Sequence, residues 1–485
     1  MEWLIITVYG LTLLIICLFS LGQFHLTWHY LKAKKNAEEQ LKDLTEYPKV
    51  TIQLPLYNER YVVERLIDAI SKIEYPKDKL EIQVLDDSND ETVELVEAKV
   101  NLYASQGLNI QHVRRPERIG FKAGALQYGM ERAKGEFIAI FDADFIPKSD
   151  FLLKTLPKFS KPEIGMVQTK WSHLNTDFGN LTKIQAFWLD AHFTVEQKGR
   201  EQAGSFINFN GTGGIWRKSC IEEAGGWQHD TLTEDLDLSY RAQLNGWKFS
   251  FREEIESPAE LPVLIQAIKS QQYRWNKGAA ETARKTLGKV LSSNIGLKHK
   301  IHAAFHLLNS SVFLLLLIAA VLSIPMLYIK EYNPDLALIF DFGSIFVIGF
   351  VAMGFFYWVA AKANHPEFTF RYFIINFPRF LAFSMGMALH NSIAVVEGYI
   401  GIKTPFVRTP KFNIQNKKDT WKGNEYLSQV LTPVTVMEGL LSLYFIYGIF
   451  SAFQLADYGL ILFHLMLAIG FAYVFLLSIK PVRHA

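Results

Sequence analysis

Cysteine is nearly absent: Cys17 and Cys220 are the only two in 485 residues. One lies in an apolar run and the other in soluble-type sequence, so a disulfide scaffold is excluded and a reducing cytosol is suited. The formal charge is only +2 and no basic domain stands out, which excludes a nucleic-acid partner. No internal repeat and no low-complexity segment is present. Charge is also almost missing from five runs, 3–22, 305–329, 342–361, 434–453 and 458–479, each long enough to cross hydrocarbon. A transporter or channel with a regulatory cytoplasmic domain would need ionisable residues facing one another inside several such runs. Only His464 and Glu438, near span ends, break the apolar pattern.

The chain has the length of two or more structural units. The first run follows Met1-Glu2 without a basic leader, and Lys32, Lys34 and Lys35 come after it, so residues 1–35 read as a retained anchor with its carboxyl end cytoplasmic. Residues 45–285 read as a cytoplasmic catalytic domain and 286–304 as an interfacial helix. Residues 305–485 read as a membrane region. Within it, 373–400 contain Pro378, Arg379, His390 and Glu397. Counting them as a span would put the basic loop 401–424 outside, so they read as interfacial or re-entrant, leaving five spans. Short loops favour a bacterial inner (plasma) membrane over the Golgi, for a multi-pass protein whose partner is the lipid bilayer. Partner subunits are not indicated.

From 48 to 145, strand patterns alternate with helical ones: "KVTIQLPLYNE", "LEIQVLDDS", "NIQHVRR" and "EFIAIFDADF" are strands, separated by "YVVERLIDAISKI", "DETVELVEAKVNLYASQG" and "FKAGALQYGMERAKG". Such alternation implies a parallel sheet that binds ligands beyond the carboxyl ends of its strands, where Asp86-Asp87 and Asp142-x-Asp144 fall. Two carboxylates at i and i+2 can hold Mg²⁺ or Mn²⁺ while a diphosphate completes its shell; a pair of solvated turn acids is the bland alternative.

"TLTEDLDLSYRAQLNGW" starts a helix at Thr233. Plain capping accounts for its acids; a general base is the sharper reading. "QQYRW" offers Arg274 for bidentate diphosphate contact and Trp275 for stacking on a sugar, against the alternative of an interfacial anchor. His299, His302 and His306 read as an interfacial face in preference to a zinc site. "DAHFTVEQ" reads as a buried helix, an acceptor contact from His192 being the lesser reading.

Taken together, "VLDDSND", "GFKAGALQYGM", "IAIFDADF", "HFTVEQ", "FNGTGGIWR", "AGGW", "TEDLDLSYRAQLNGWKF" and "QQYRWNKG" resemble the processive family 2 glycosyltransferases, above all the plant cellulose-synthase-like mannan and glucan synthases. The resemblance implies an α/β glycosyltransferase-A domain (a Rossmann-like mixed sheet) with an α-helical transmembrane bundle. It implies Tyr57, Glu59, Asp86, Asp87, Lys122 and Arg274 as nucleotide-sugar contacts and Asp142 and Asp144 as ligands of Mg²⁺ or Mn²⁺. It makes Asp235 the general base. Asn210, Gly211, Thr212, Glu234, Gln271 and Trp275 would face the acceptor. "FVRTPK" (406–411) is similar to the gating-loop motif of cellulose synthases, with Arg408 a departure. Asn210 stands where those enzymes have Cys, and no carboxyl-terminal regulatory domain follows the last span. The implied reaction is inverting hexosyl transfer from GDP-mannose or UDP-glucose to a growing β-linked polysaccharide, coupled to export. A glycolipid synthase acting on a lipid such as ceramide shares the motifs.

Overall fold

In the computed structural model, the residues described are 1–35, 44–336, 340, 343–404, 407–419 and 431–480. The expected strands form: β1 (Val50–Leu56), β2 (Leu80–Asp86), β3 (Ile110–Val113) and β4 (Phe137–Ile140), with helices Val63–Ile70, Thr92–Ser105 and Phe121–Met130 between them. Three more strands follow, β5 (Ile164–His173), β6 (Gly214–Arg217) and β7 (Lys248–Ala259). They close a seven-stranded sheet of order β3-β2-β1-β4-β6-β5-β7. β1 to β4 are parallel and β5 pairs in parallel with β7, whereas β6 runs antiparallel to both β4 and β5. The sheet is therefore mixed.

Period-two alternation explains why β4 reads as an unbroken apolar run. Phe137 and Ala139 enter the core on one face of the sheet, and Ile138 and Ile140 enter the core on the other. The buried polar residues of β1 and β2 satisfy each other across the ladder, Gln53 Nε2 donating to Gln83 Oε1 at 3.0 Å and Thr51 to Glu81 at 2.6 Å.

Among the described residues five helices are long and apolar enough to cross a membrane: Glu2–Ala33, Ser311–Tyr332, Val347–Asn364, Pro433–Gln454 and Ile461–Ile479. They coincide with the five apolar runs. Residues 373–400 fall in two helices, Thr369–Gly386 and Ala388–Ile400, bent by 52° at the break; counted as one broken span they would make a sixth crossing. The expected boundary at 286 is not a break, because one helix runs from Ile265 to Ser292, followed by a shorter one from Leu297 to Leu307.

The Ile265–Ser292 helix joins the sheet domain to the bundle. It approaches Ala388–Ile400 so closely that a Cβ on Gly398 would lie 2.6 Å from the Lys277 carbonyl oxygen. Lys277 is fully buried there, 3.2 Å from Glu397 and 2.9 Å from Thr404 Oγ1. Glu438, fully buried in the Pro433–Gln454 helix, pairs with Lys269 of the same connecting helix at 2.7 Å. Unpaired, each charge would be costly to bury; paired, they fix the register between helix and span. His306 binds the Tyr240 hydroxyl at 2.9 Å and the His302 ring lies 4.9 Å from that of His25, so these histidines pack inward on the domain and the anchor helix.

Candidate active site

Beyond the carboxyl ends of β1, β2 and β4 lie two adjoining cavities, of about 110 and about 140 Å³. Lys122, Asp142, Asp144, Arg274 and Lys411 line both, so they stand at the junction. The first cavity is completed by Tyr57, Glu59 and Asp87 among others. The second holds Asn210, Gly211, Glu234, Asp235, Gln271 and Trp275. Residues far apart in sequence thus meet in one place.

Asp142 and Asp144 sit in the turn after β4, where Phe145 N donates to Asp142 O at 3.1 Å. Lys122 Nζ donates to Asp142 Oδ1 at 2.6 Å and to the Gly211 carbonyl at 2.9 Å, and Lys411 Nζ donates to Asp144 Oδ2 at 2.6 Å. Burial alone would lower the Lys122 ammonium, but Asp142, Glu234 and Asp235 outweigh it and hold it above its usual value. Each carboxylate therefore already holds a positive charge on the cavity side. That donor chemistry suits a hard divalent cation. Among the described residues no cluster of three His, Cys, Asp or Glu could hold a metal.

Glu234 and Asp235 open the helix Glu234–Leu244. Thr233 does not cap it through its side chain, because its hydroxyl lies 3.1 Å from that of Thr282 on the connecting helix. Asp235 is pushed up to about 7, first by burial and then by the neighbouring Glu234, with Lys122 opposing. Glu234 is raised by burial as well. A carboxyl group that titrates near neutrality can exchange protons with a substrate hydroxyl. Gly211 has φ +81°, a conformation open to glycine, and a Cβ there would come within 3.1 Å of Asp235 Oδ2. The loop is shaped to approach that carboxylate.

The remaining sequence-predicted residues divide. Arg118 lies over the Tyr57 ring at 3.3 Å, and Asp87 forms a two-bond pair with Arg115 at 2.7 and 2.6 Å. Two expectations need correction. Asp86 lines neither cavity: it is buried, accepting from Ser88 N at 2.9 Å and contacting His112 Nε2 at 2.9 Å, because it is the last residue of β2 and its alternate neighbour Asp87 takes the open side. Thr212 is buried too and supports from behind, its Oγ1 accepting from Asp142 N at 2.9 Å.

The 401–424 loop contributes more than the motif suggested, although 405–406 and 420–424, with Lys422, lie outside the described residues. Arg408 pairs with Glu59 at 3.0 Å and also donates to the Asn58 carbonyl. Thr409 Oγ1 accepts from Arg274 at 2.6 Å, and Phe412 N donates to Glu260 Oε1 at 2.9 Å. Burial pushes Glu59 up to about 7 against the pull of Arg408 and Lys411. Arg408, Thr409 and Lys411 thus cover the first cavity. Their proximity to β1 had no local signal, and neither had the Arg118–Tyr57 contact. Trp275 meets Trp188 edge-on at 5.8 Å beside the second cavity.

Residues 48–278 match the family described as Glycosyltransferase like family 2. Probable glucomannan 4-beta-mannosyltransferase 2 of Oryza sativa subsp. japonica is 42% identical over 301 residues, covering 61% of this chain and 51% of that protein. Glucomannan 4-beta-mannosyltransferase 9 of Arabidopsis thaliana is 42% identical over 283 residues, covering 56% of this chain and 53% of that protein. The chain spans about half the length of the curated relatives it matches. Among solved structures, mannosyltransferase PcManGT from Pyrobaculum calidifontis, in complex with GDP-Man and Mn²⁺, superposes with TM-score 0.52 at 20% identity, over 74% of this chain and 99% of that one. That likeness establishes a glycosyltransferase-A-like fold.

Proposed function

On the premise that residues 48–278 form a family 2 glycosyltransferase domain, we propose that the chain is a membrane-embedded inverting hexosyltransferase extending a β-linked polysaccharide. The observation that carries this reading is the junction of the two cavities, where Asp142, Asp144, Lys122 and Arg274 adjoin the pocket of Asp235 and Trp275. Such a layout suits a donor diphosphate on one side and an acceptor hydroxyl on the other. The relatives named glucomannan 4-beta-mannosyltransferases favour a mannosyl donor.

In this reading Tyr57, Glu59 and Asp87 face the nucleoside end of the donor. Lys122 and Arg274 hold the diphosphate oxygens, the planar guanidinium in two-bond fashion. Asp142 and Asp144 would hold a divalent cation, which when bound supplies charge neutralisation for the departing diphosphate. Trp275 stacks on the acceptor sugar, and Gln271 and Asn210 bind its hydroxyls. Asp235 removes the proton of the attacking hydroxyl, which displaces the nucleoside diphosphate from the anomeric carbon and inverts its configuration. Preorganised cations beside the leaving group supply the electrostatic part of the rate enhancement. The acceptor pocket lies on the helix that packs against the bundle, which suits delivery of the chain towards the membrane.

The test is an assay of the full chain in lipid nanodiscs with Mn²⁺, radiolabelled GDP-mannose or UDP-glucose, and manno-oligosaccharide. Growth of a β-linked, mannanase-sensitive chain from GDP-mannose is the expected result. A single-sugar lipid product, or no transfer from either donor, would overturn the reading.

A further inference from the structure

His192 does not line the acceptor cavity, yet it touches a residue that does. A single turn of π-helix, His192–Glu196, interrupts the helical run Asn180–Gln202 at this point, a distortion that recurs beside functional sites. The turn places His192 Nδ1 2.9 Å from Glu196 Oε2 and Nε2 3.1 Å from Asn210 Oδ1. Glu196 is buried, and its other oxygen accepts from Arg200 Nε and Nη2 at 3.2 and 2.8 Å.

Donor and acceptor bookkeeping settles which proton sits where. The carbonyl of Phe209 accepts from Asn208 Nδ2 at 3.2 Å, which fixes the Asn208 amide. The same Nδ2 donates to Asn210 Oδ1 at 3.0 Å, while Asn210 Nδ2 donates to the Asn208 carbonyl at 3.3 Å. Reversing the Asn210 amide would set two NH₂ groups against each other. Asn210 Oδ1 is therefore an acceptor towards His192, and the carboxylate held by Arg200 is an acceptor on the other side. The imidazole is thus held between the two, Nε2 towards Asn210 and Nδ1 towards Glu196. With Oδ1 taken twice and one Nδ2 proton committed, Asn210 keeps one N–H without a partner among the described residues, on a side chain lining the cavity of Asp235 and Trp275.

We propose that His192, clamped between Glu196 and Asn210, is a positioning residue that aims the remaining Asn210 N–H at an acceptor-sugar hydroxyl. A donor at that point meets the hydroxyl oxygen and fixes the sugar ring relative to Asp235. The inference rests on the transferase reading above and adds to it the Glu196–His192–Asn210 relay.

The test uses the full chain in nanodiscs with Mn²⁺, GDP-mannose and mannotetraose, comparing His192→Ala, Asn210→Ala, the double variant and His192→Gln. Loss of one hydrogen bond to the acceptor predicts that each single alanine variant raises the KM for mannotetraose about ten-fold. GDP-mannose affinity of His192→Ala stays at the wild-type level. The double variant is no worse than Asn210→Ala alone, because both remove the same contact. His192→Gln, which keeps an N–H for Asn210, recovers most of the loss. Additive effects, an unmoved acceptor KM, or an equal loss of donor affinity would overturn the relay while leaving transfer intact. A wild-type chain that transfers from neither GDP-mannose nor UDP-glucose would overturn the transferase reading, and the relay with it.

Discussion

The two sides of the cavity junction are built from opposite charges and opposite parts of the chain. The side made by the sheet is acidic: Glu59, Asp87, Asp142 and Asp144 follow β1, β2 and β4. The side that faces it from the membrane region is cationic: Arg274 comes from the connecting helix, and Arg408 and Lys411 from the loop after the bent helix pair. Asp87 and Asp142 find Arg115 and Lys122 within the sheet domain, whereas Glu59 and Asp144 take Arg408 and Lys411 from the membrane side. Burying Glu59 and Asp144 without those partners would cost several kcal/mol each, so docking of the membrane-side segment completes the charge of the site as well as its shape. In the proposed reading, the diphosphate subsite is divided between domain and bundle.

The strongest way to break that comparison is to neutralise Asp142 and Asp144, the pair that holds the cation in the proposed reading. Asp142→Asn with Asp144→Asn, or removal of divalent metal by chelation, is expected to abolish transfer, and restoring Mn²⁺ should rescue only the wild-type chain; a radiolabel assay reads both. Next comes the cationic side. Arg274→Lys keeps the charge but loses the planar fork, and turnover should fall by about 10²–10³-fold, the usual loss when one preorganised donor is removed, with the protein still folded by circular dichroism.

The pH profile sharpens the comparison further. Asp235 sits near pH 7 because burial and Glu234 disfavour its charged form. A base must be ionised to accept a proton, so kcat should be flat above about pH 7 and fall about ten-fold per unit as pH drops below it. Mildest is Lys411→Met. Lys411 holds Asp144 at 2.6 Å and competes with a divalent cation for the same oxygens. Its removal should tighten Mn²⁺ binding in the absence of donor by about three- to ten-fold, because the cation no longer has to displace an ammonium from a largely buried carboxylate, as titration calorimetry can measure.

Much of the acidic side was legible in the sequence, because its residues close strands whose apolar periodicity is strong. "IAIFDADF" announces both the buried strand and the carboxylates, and the five apolar runs announce the spans. The antiparallel β6 was not legible: Gly214–Arg217 is four residues long and obtains its place by pairing with β4 and β5, remote in sequence. Thr233 reads as a cap until Thr282, on another helix, claims its hydroxyl. "LDDS" leaves two adjacent acids equivalent, and the pleat decides between them. The cationic side was dimmer still. Arg408 registered as a departure from a motif, whereas its partner Glu59 lies more than half the chain away, a distance over which no periodicity carries information.

The most direct measurement pairs donor binding with turnover for Asp235→Asn in nanodiscs, using GDP-mannose and Mn²⁺. A neutral amide at that position should leave donor affinity within about two-fold while transfer to mannotetraose falls by at least about 10²-fold, the usual reach of a lost general base. Turnover close to the wild-type rate, with the donor still bound, would contradict the assignment of Asp235 and with it the division of the site into a diphosphate half and an acceptor half.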